Sequence, residues 1–391
     1  MTDINHKGLK VLMFSSDRNI AVPGSAVGER MKEYGALVEE LHIVLLADKK
    51  HGLKETRISK NVWVYPTNSA FKCLRPLSAA RIGKRLVFEK KFVRGKSLIT
   101  AQDPFECGWA GLRIKKKWRL PLEVQLHTDP FSPYFSGFQN TVRKFFVRTI
   151  LKNADSIRVV SEILKSRILG LKSNANVYVL PIYVEKEKIE NAPVKFDLHT
   201  RYPWHFIILT VSRLSKEKNL ALAIKILGLV RQNFPDTGLI IVGSGLEEGH
   251  LKTLVKNMKL EGAVEFAGWQ EELASFYKTA NVFLQTSLFE GYGLSLIEAG
   301  LSGLPVVTTP VGIASELEHG KNAYIFPLNS ARGKPEELFA QGIIDLIENN
   351  QKRENLRFNM KKTLETKLLS KEDYMAKIKD NWGKVAQQIR T

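Results

Sequence analysis

Two cysteines in 391 residues, Cys73 and Cys107, build neither a disulfide framework nor a zinc ligand set. So few fit a reducing cytoplasm. No run of 18 or more apolar residues occurs, so no membrane-spanning helix is expected. The first apolar run, VLMF from Val11, is too short for the core of a signal peptide and reads as a strand. No Asp-x-Asp offers a ready carboxylate pair to a divalent metal, and no G-x-G-x-x-G with a downstream acid marks a dinucleotide site. Acidic residues are also short: 40 Asp+Glu face 59 Lys+Arg, a net charge of +19. Of that excess, +16 lies in the first 200 residues. Such asymmetry suggests a polyanionic partner for that half: nucleic acid, an anionic membrane surface or a phosphorylated substrate. Nucleic acid is the poorest of the three, because no base-stacking aromatics sit on a recognisable nucleic-acid fold.

What is present is an alternation. LKVLMFSS, LHIVLLA, NVWVYP, SLITAQ, LEVQLH and SIRVVS are short β-rich runs separated by helical patterns such as FQNTVRKFFVRTILKNA. The second half repeats it with HFIILTVS, GLIIVGSG, AVEFAG, NVFLQTS, LPVVTT and NAYIFP. Alternation of this kind predicts a parallel sheet with helices on both faces, and two series predict two doubly wound α/β domains. A charged, proline-marked stretch of low periodicity, Leu180 to Pro203, joins the two series, and the boundary is expected within it near Asn191 to Pro203; Lys352 to Arg390 reads as fully helical. The expected domains are 1–195, 196–370 and a terminal helix over 371–391.

In open α/β sheets ligands bind beyond the carboxyl ends of strands. Three stretches there carry chemistry. In LTVSRLSKEKNL, Arg213 and Lys218 follow a strand and lead into a helix; they form either a solvated loop or a phosphate clamp. In IIVGSGLEE, Gly243 and Gly245 make a tight strand-to-helix turn or let backbone approach a ligand. In LFEGYGLSLIEAG, Glu290 precedes a helix and Glu298 lies on it, roughly 12 Å further along the axis. Between them the amides of Gly293, Leu294 and Ser295 are unpaired donors. Phosphates fit the amides, and hydroxyls at either end fit the carboxylates.

Arg213 and Lys218, the GSG, AGWQEEL, the Glu-x7-Glu of EGYGLSLIEAGLSGLPVV and PVGIASELEHGKN stand in the order and spacing of the family 4 retaining glycosyltransferases, which this sequence resembles through residues 205–327. In the first half the likeness rests on strand order, PGS and VQLHTDP. The resemblance implies the GT-B fold, with two Rossmann-like domains facing each other across a cleft and the C-terminal helix returning to the first. It implies that Arg213 and Lys218 bind the diphosphate of a sugar nucleotide and that Glu298 holds its ribose. Glu290 would lie beside the transferred sugar, and the amides after Gly291 and Gly293 would complete the phosphate site. Gly243 and Gly245 would belong to the donor side, and Gly268 to Gln270, with Trp269, would meet the base. Gly24, Ser25, His127 and Asp129 would face the acceptor, His127 at the reacting centre. Three departures stand out: LPIYVEKEKI replaces a Pro-Asn-Gly-Val-Asp, Ser25 replaces the second glycine of a pair, and Gly312–Ile313 replaces a Gly-Gly.

The expected reaction is transfer of a sugar from a UDP- or GDP-sugar to an acceptor hydroxyl with retention, without an obligatory metal or other cofactor. Cationic side chains would oppose the charge of the leaving diphosphate. Lys72 to Lys96 holds nine basic residues against Glu89, interleaved with Leu77, Ile82, Leu86, Val87, Phe88 and Phe92. It is a solvated face or a basic amphipathic surface for anionic lipid. The latter points to a lipid-linked or membrane-borne glycan acceptor and to a cytoplasmic protein peripheral on the membrane's inner face. A soluble acceptor, or an epimerase-like protein that binds sugar nucleotides without transferring sugar, is the alternative.

Overall fold

The computed structural model describes residues 8–132, 138–171, 174–331 and 333–388. The chain divides into two units, Met1–Ile182 with Ser370–Thr391, and Tyr183–Leu369.

In the first unit eight strands form one sheet: β1 Lys10–Ser15, β2 Glu40–Leu45, β3 Thr56–Ser59, β4 Val62–Pro66, β5 Ser97–Ala101, β6 Leu122–Leu126, β7 Ser156–Val159 and β8 Asn176–Val179. Their order is β3-β4-β2-β1-β5-β6-β7-β8, parallel except for the β3–β4 hairpin. The order reverses direction at β1. Right-handed crossovers therefore put helices on opposite faces, and the crevice opens at the carboxyl ends of β1 and β5. Continuous burial of β5, β6 and β7 follows from coverage on both faces. The helices are α1 Ala26–Ala36, α2 Arg75–Glu89, α3 Glu106–Trp118, α4 Phe138–Asn153 and α5 Glu162–Leu169. Strands β3 and β8 were not anticipated: TRIS is an exposed edge, and NVYV is too short to show a period.

The second unit has six parallel strands: β9 Phe206–Val211, β10 Thr237–Val242, β11 Val264–Gly268, β12 Val282–Gln285, β13 Val306–Thr308 and β14 Tyr324–Ile325. Their order is β11-β10-β9-β12-β13-β14, with the reversal between β9 and β12. Its helices are α6 Lys186–Glu190, α7 Leu198–Arg201, α8 Leu220–Val230, α9 Glu248–Asn257, α10 Ala274–Thr279, α11 Leu294–Leu301, α12 Pro335–Glu348 and α13 Asn350–Lys367. The core is aliphatic, built on Ile208, Ile224, Leu227, Ile241 and Leu284 with Phe339 and Ile343 of α12.

The helical tail is two helices. It breaks at Leu368–Ser370, where Ser370 caps α14 Lys371–Gln387 by accepting from the Asp373 amide at 3.0 Å. The units divide at the same break, and at the other end of the second unit the division falls at Ile182. From Tyr183 on, the proline-marked stretch therefore belongs to the second unit. There its backbone is held by α10: Ser275 accepts from the Lys195 amide at 2.8 Å, and Thr279 from the Leu198 amide at 3.2 Å.

Helix α14 docks in the first unit through buried polar groups. The indole of Trp382 donates to Glu123 at 3.3 Å, and Arg158 donates to the Tyr374 hydroxyl at 2.6 Å. Glu123 also accepts from Thr100 at 2.9 Å, and Tyr178 supplies its second oxygen at 2.7 Å. Full burial of this carboxylate is tolerable because both oxygens are satisfied.

Candidate functional site

The reversal of strand order in the second unit leaves a crevice at the carboxyl ends of β9 and β12, and both candidate loops leave from there. The loop after β9 is laced to the one after β10. Ser212 donates its amide to Val242 at 3.0 Å, and Leu214 to Ser244 at 3.0 Å. A Cβ on Gly243, which has φ +134°, would lie 1.9 Å from the Ser212 carbonyl oxygen, and one on Gly245 would lie 2.2 Å from that of Leu214. Close packing of the two loops therefore accounts for both glycines. They set the position of the backbone that carries Arg213.

Lys218 and Glu290 explain each other. Lys218 Nζ lies 2.7 and 2.8 Å from the two carboxylate oxygens of Glu290, and the Ser287 hydroxyl donates to Oε1 at 2.8 Å. Side-chain exposure is 15% and 10%. A carboxylate in so apolar a stretch is kept because a cation and a hydroxyl meet it there. The loops are joined again by the Leu288 amide donating to the Glu217 carbonyl at 2.8 Å. Arg213, by contrast, reaches outward. Its side chain is 78% exposed, with Glu217 at 3.2 Å. Burial works to raise the Glu217 carboxyl. Hydrogen bonds from Ser215 and its own amide, with the charges of Arg213 and Lys218, outweigh that and hold it below the usual carboxylate range.

The turn from Glu290 enters α11 through Gly293, at φ +94°, with no side-chain cap. The amides of Leu294 and Ser295 find no acceptor among the described residues. Gly291 is half-buried at the head of this turn. Gly312 packs beneath: a Cβ there would meet the Tyr292 carbonyl oxygen at 2.5 Å. One turn into α11, Glu298 Oε2 accepts from the hydroxyl of the buried Tyr277 at 2.9 Å. Burial pushes the Glu298 carboxyl above its ordinary value, and the Tyr277 hydrogen bond offsets part of that. At the end of β11, Trp269 is 70% exposed, while Gln270 donates back to the Ala267 carbonyl at 2.7 Å.

The first unit holds the remaining candidates at the carboxyl ends of its own strands. Gly24 is exposed with φ +73°, and Ser25 caps α1 by accepting from the Gly28 amide at 3.0 Å. His127 follows β6. Burial, then the positive charges of Arg158 and Arg30, bring its imidazole down to about 3, so it is neutral at physiological pH. Asp129 is fully engaged: it pairs with Arg167 and accepts from the Phe131 amide at 2.8 Å. Its carboxylate shapes the loop after His127.

The sequence reading missed Tyr277, Ser287, Glu217, Arg30 and Arg158. Ser287 had a signal, a hydroxyl three residues before Glu290. Glu217 had one too, standing beside Lys218 and four residues after Arg213; Tyr277, Arg30 and Arg158 are brought in by packing between elements.

Two doubly wound parallel-sheet units of this topology are the GT-B architecture. Solved structures agree. HepE of Anabaena, crystallised with UDP and glucose, superposes with a TM-score of 0.73 at 21% identity over 96% of this chain and 100% of that one. Sucrose-phosphate synthase of Thermosynechococcus elongatus does so at 0.75 and 16%, covering 96% and 99%. The family model of the glycosyl transferases group 1 matches residues 199–363. The chain is 32% identical over 150 residues to the GtfA subunit of the UDP-N-acetylglucosamine–peptide N-acetylglucosaminyltransferase of Streptococcus pneumoniae serotype 4 (37% of this chain, 30% of that one). It is 26% identical over 224 residues to the alpha-monoglucosyldiacylglycerol synthase of Streptococcus pneumoniae (54% and 51%). With the amylovoran biosynthesis glycosyltransferase AmsK of Erwinia amylovora it shares 33% over 168 residues (40% and 41%). The matches thus span between 30% and 51% of these relatives' length.

Proposed function

We propose that this protein is a retaining glycosyltransferase that moves a sugar from a nucleoside-diphosphate sugar to a hydroxyl of a lipid-linked or membrane-borne glycan acceptor. The observation that carries this reading is the half-buried Lys218–Glu290 pair beside the unpaired amides of α11, at the point where strand order reverses. The donor's diphosphate meets Arg213, Lys218 and the Leu294 and Ser295 amides. Its ribose meets Glu298 and its base lies toward Trp269 and Gln270. As the bond to the sugar breaks, negative charge grows on the diphosphate, and the two cations and the helix N-terminus oppose it in place of an obligatory metal. Lys218 must exchange Glu290 for phosphate, which frees the carboxylate for sugar hydroxyls. Attack comes from the face the diphosphate leaves, with a phosphate oxygen taking the acceptor's proton. Gly24, Ser25 and neutral His127 stand on the acceptor side, with Asp129 holding the loop after His127. The uridine nucleotides in complex with Anabaena HepE and the glycolipid product in the name of the pneumococcal synthase support a UDP-sugar and a lipid acceptor. Incubation with UDP-, GDP- and ADP-sugars, with and without membrane extract, tests the reading. Nucleotide release that requires extract is expected. Release that yields no glycosylated product is hydrolysis or epimerisation, and overturns transfer.

Docking on anionic lipid is part of the proposal. In the first unit α2 packs on α3 and α3 on α4. Leu86, Val87 and Phe92, counted above among the interleaved apolar residues, are buried in the core. What remains outside is Phe71, Leu77 and Phe88 around α2, and Phe145 and Phe146 on α4, with basic residues between. Among the described residues no helix is long and apolar enough to cross a membrane. Apolar side chains in the interface, with about 1 kcal/mol per nearby Lys or Arg, suffice for peripheral binding. Co-sedimentation with liposomes is expected to require acidic lipid and to weaken as salt rises. Lys84→Ser with Lys91→Ser and Phe88→Ser should reduce it. Binding indifferent to lipid charge would remove the docking surface from the proposal.

A further inference from the structure

Helix α10 is fastened on three sides. Ser275 and Thr279 hold the backbone of the 195–198 segment, and Lys278 Nζ donates to the carbonyls of Glu190 at 2.6 Å and Ala192 at 2.5 Å. Between these anchors Tyr277 points the other way. Its ring packs near Phe283 of β12, centroids 6.0 Å apart, and its hydroxyl reaches Glu298 Oε2 at 2.9 Å. The ring is 3% exposed, so the hydroxyl is a donor fixed by packing.

We infer that Tyr277 is a positioning residue that holds the Glu298 carboxylate by one oxygen, so that the other faces the vicinal hydroxyls of the donor ribose and sets discrimination between ribose and deoxyribose nucleotides. This rests on the reading that Glu298 meets the ribose. A carboxylate has about four acceptor sites, and Tyr277 occupies one on the inner side. The other oxygen, Oε1, is left to accept from the two hydroxyls of a diol. The donor must also find the carboxylate ionised. Burial opposes that and the Tyr277 hydroxyl supports it.

The test is calorimetric binding of UDP and 2′,3′-dideoxy-UDP to the full chain, with the GDP pair in parallel, across mildly acidic to neutral pH. Wild type should prefer the ribonucleotide by roughly 30-fold, as hydrogen bonds to a charged group imply. Tyr277→Phe should lose about tenfold for UDP and little for dideoxy-UDP, with the loss growing as pH falls, because the carboxyl then protonates at higher pH. At saturating donor its kcat should stay near wild type while the donor KM rises. In a Glu298→Gln background Tyr277→Phe should change the preference no further. No preference in wild type would overturn the ribose reading and this inference with it. A normal preference in folded Tyr277→Phe would overturn the inference alone. If Tyr277→Phe does not fold, 3-fluorotyrosine incorporation keeps the ring and acidifies the phenol. The acidic loss of preference should then move to lower pH, and an unmoved limb overturns the inference.

Discussion

Lys218→Ala is expected to lower turnover at saturating donor by roughly 100-fold and to destabilise the second unit at the same time. The first effect follows if the ammonium opposes charge on the leaving diphosphate, an interaction that strengthens toward the transition state and is worth about 3 kcal/mol in a dry site. The second follows from the free protein. Lys218 Nζ touches both oxygens of Glu290, and removing it strands a carboxylate whose side chain is 10% exposed. Breaking one side of such a pair costs about 3–5 kcal/mol, softened here by the Ser287 hydroxyl. Arg213→Ala separates the two effects. Its side chain is 78% exposed and its ion pair lies on the surface, so its loss should leave the melting temperature nearly unchanged. Turnover should still fall by about the same factor. Changing both should be less than additive if they act on one phosphate group. The double variant Lys218→Ala, Glu290→Gln should regain stability without regaining turnover. Wild-type turnover in folded Lys218→Ala would remove the leaving-group role.

Much of this site could be read in advance because it is built from short runs after strands. Arg213, Lys218, Glu290 and the α11 amides lie within a few residues of β9 and β12, and the strand periods locate those ends. Partners across elements are another matter. Nothing near Tyr277 in the chain points to Glu298; the pair exists because α10 and α11 pack side by side. Nothing near Gly243 announces Ser212, whose carbonyl leaves no room for a Cβ. The basic stretch 72–96 was legible as amphipathic, but which side faced the core was not. Leu86 and Val87 are buried, whereas Phe88 between solvent and charge is 81% exposed. The helical tail shows the same limit. Ser370 breaks it with a side-chain cap, and the unit to which each half belongs is decided by contacts such as Trp382 to Glu123, far apart in sequence.

Glu298→Gln should move stability and donor affinity in opposite directions. Glutamine keeps an acceptor for the Tyr277 hydroxyl but carries no charge, so two charge-assisted contacts to the ribose hydroxyls become weaker. The donor KM should rise by roughly tenfold, with a smaller change in kcat, since the contact is much the same in ground and transition states. Stability goes the other way. The Glu298 carboxyl titrates above its unfolded value because it is buried. Over the pH range between the two values the native state holds a proton that the unfolded chain has released, so stability falls as pH rises through that range and stays reduced above it. Glutamine does not titrate and escapes this cost. The variant should therefore melt close to wild type near about pH 4 and above it at neutral pH, with the gap opening as the carboxyl ionises. Donor nucleotide should close the gap by mass action, because it binds folded wild type more tightly than the variant. A thermal-shift series over pH, with and without UDP, reads all three effects. A variant that melts below wild type at neutral pH, or binds UDP as tightly, would show that this carboxylate is held by the fold for its own sake and not for the ribose.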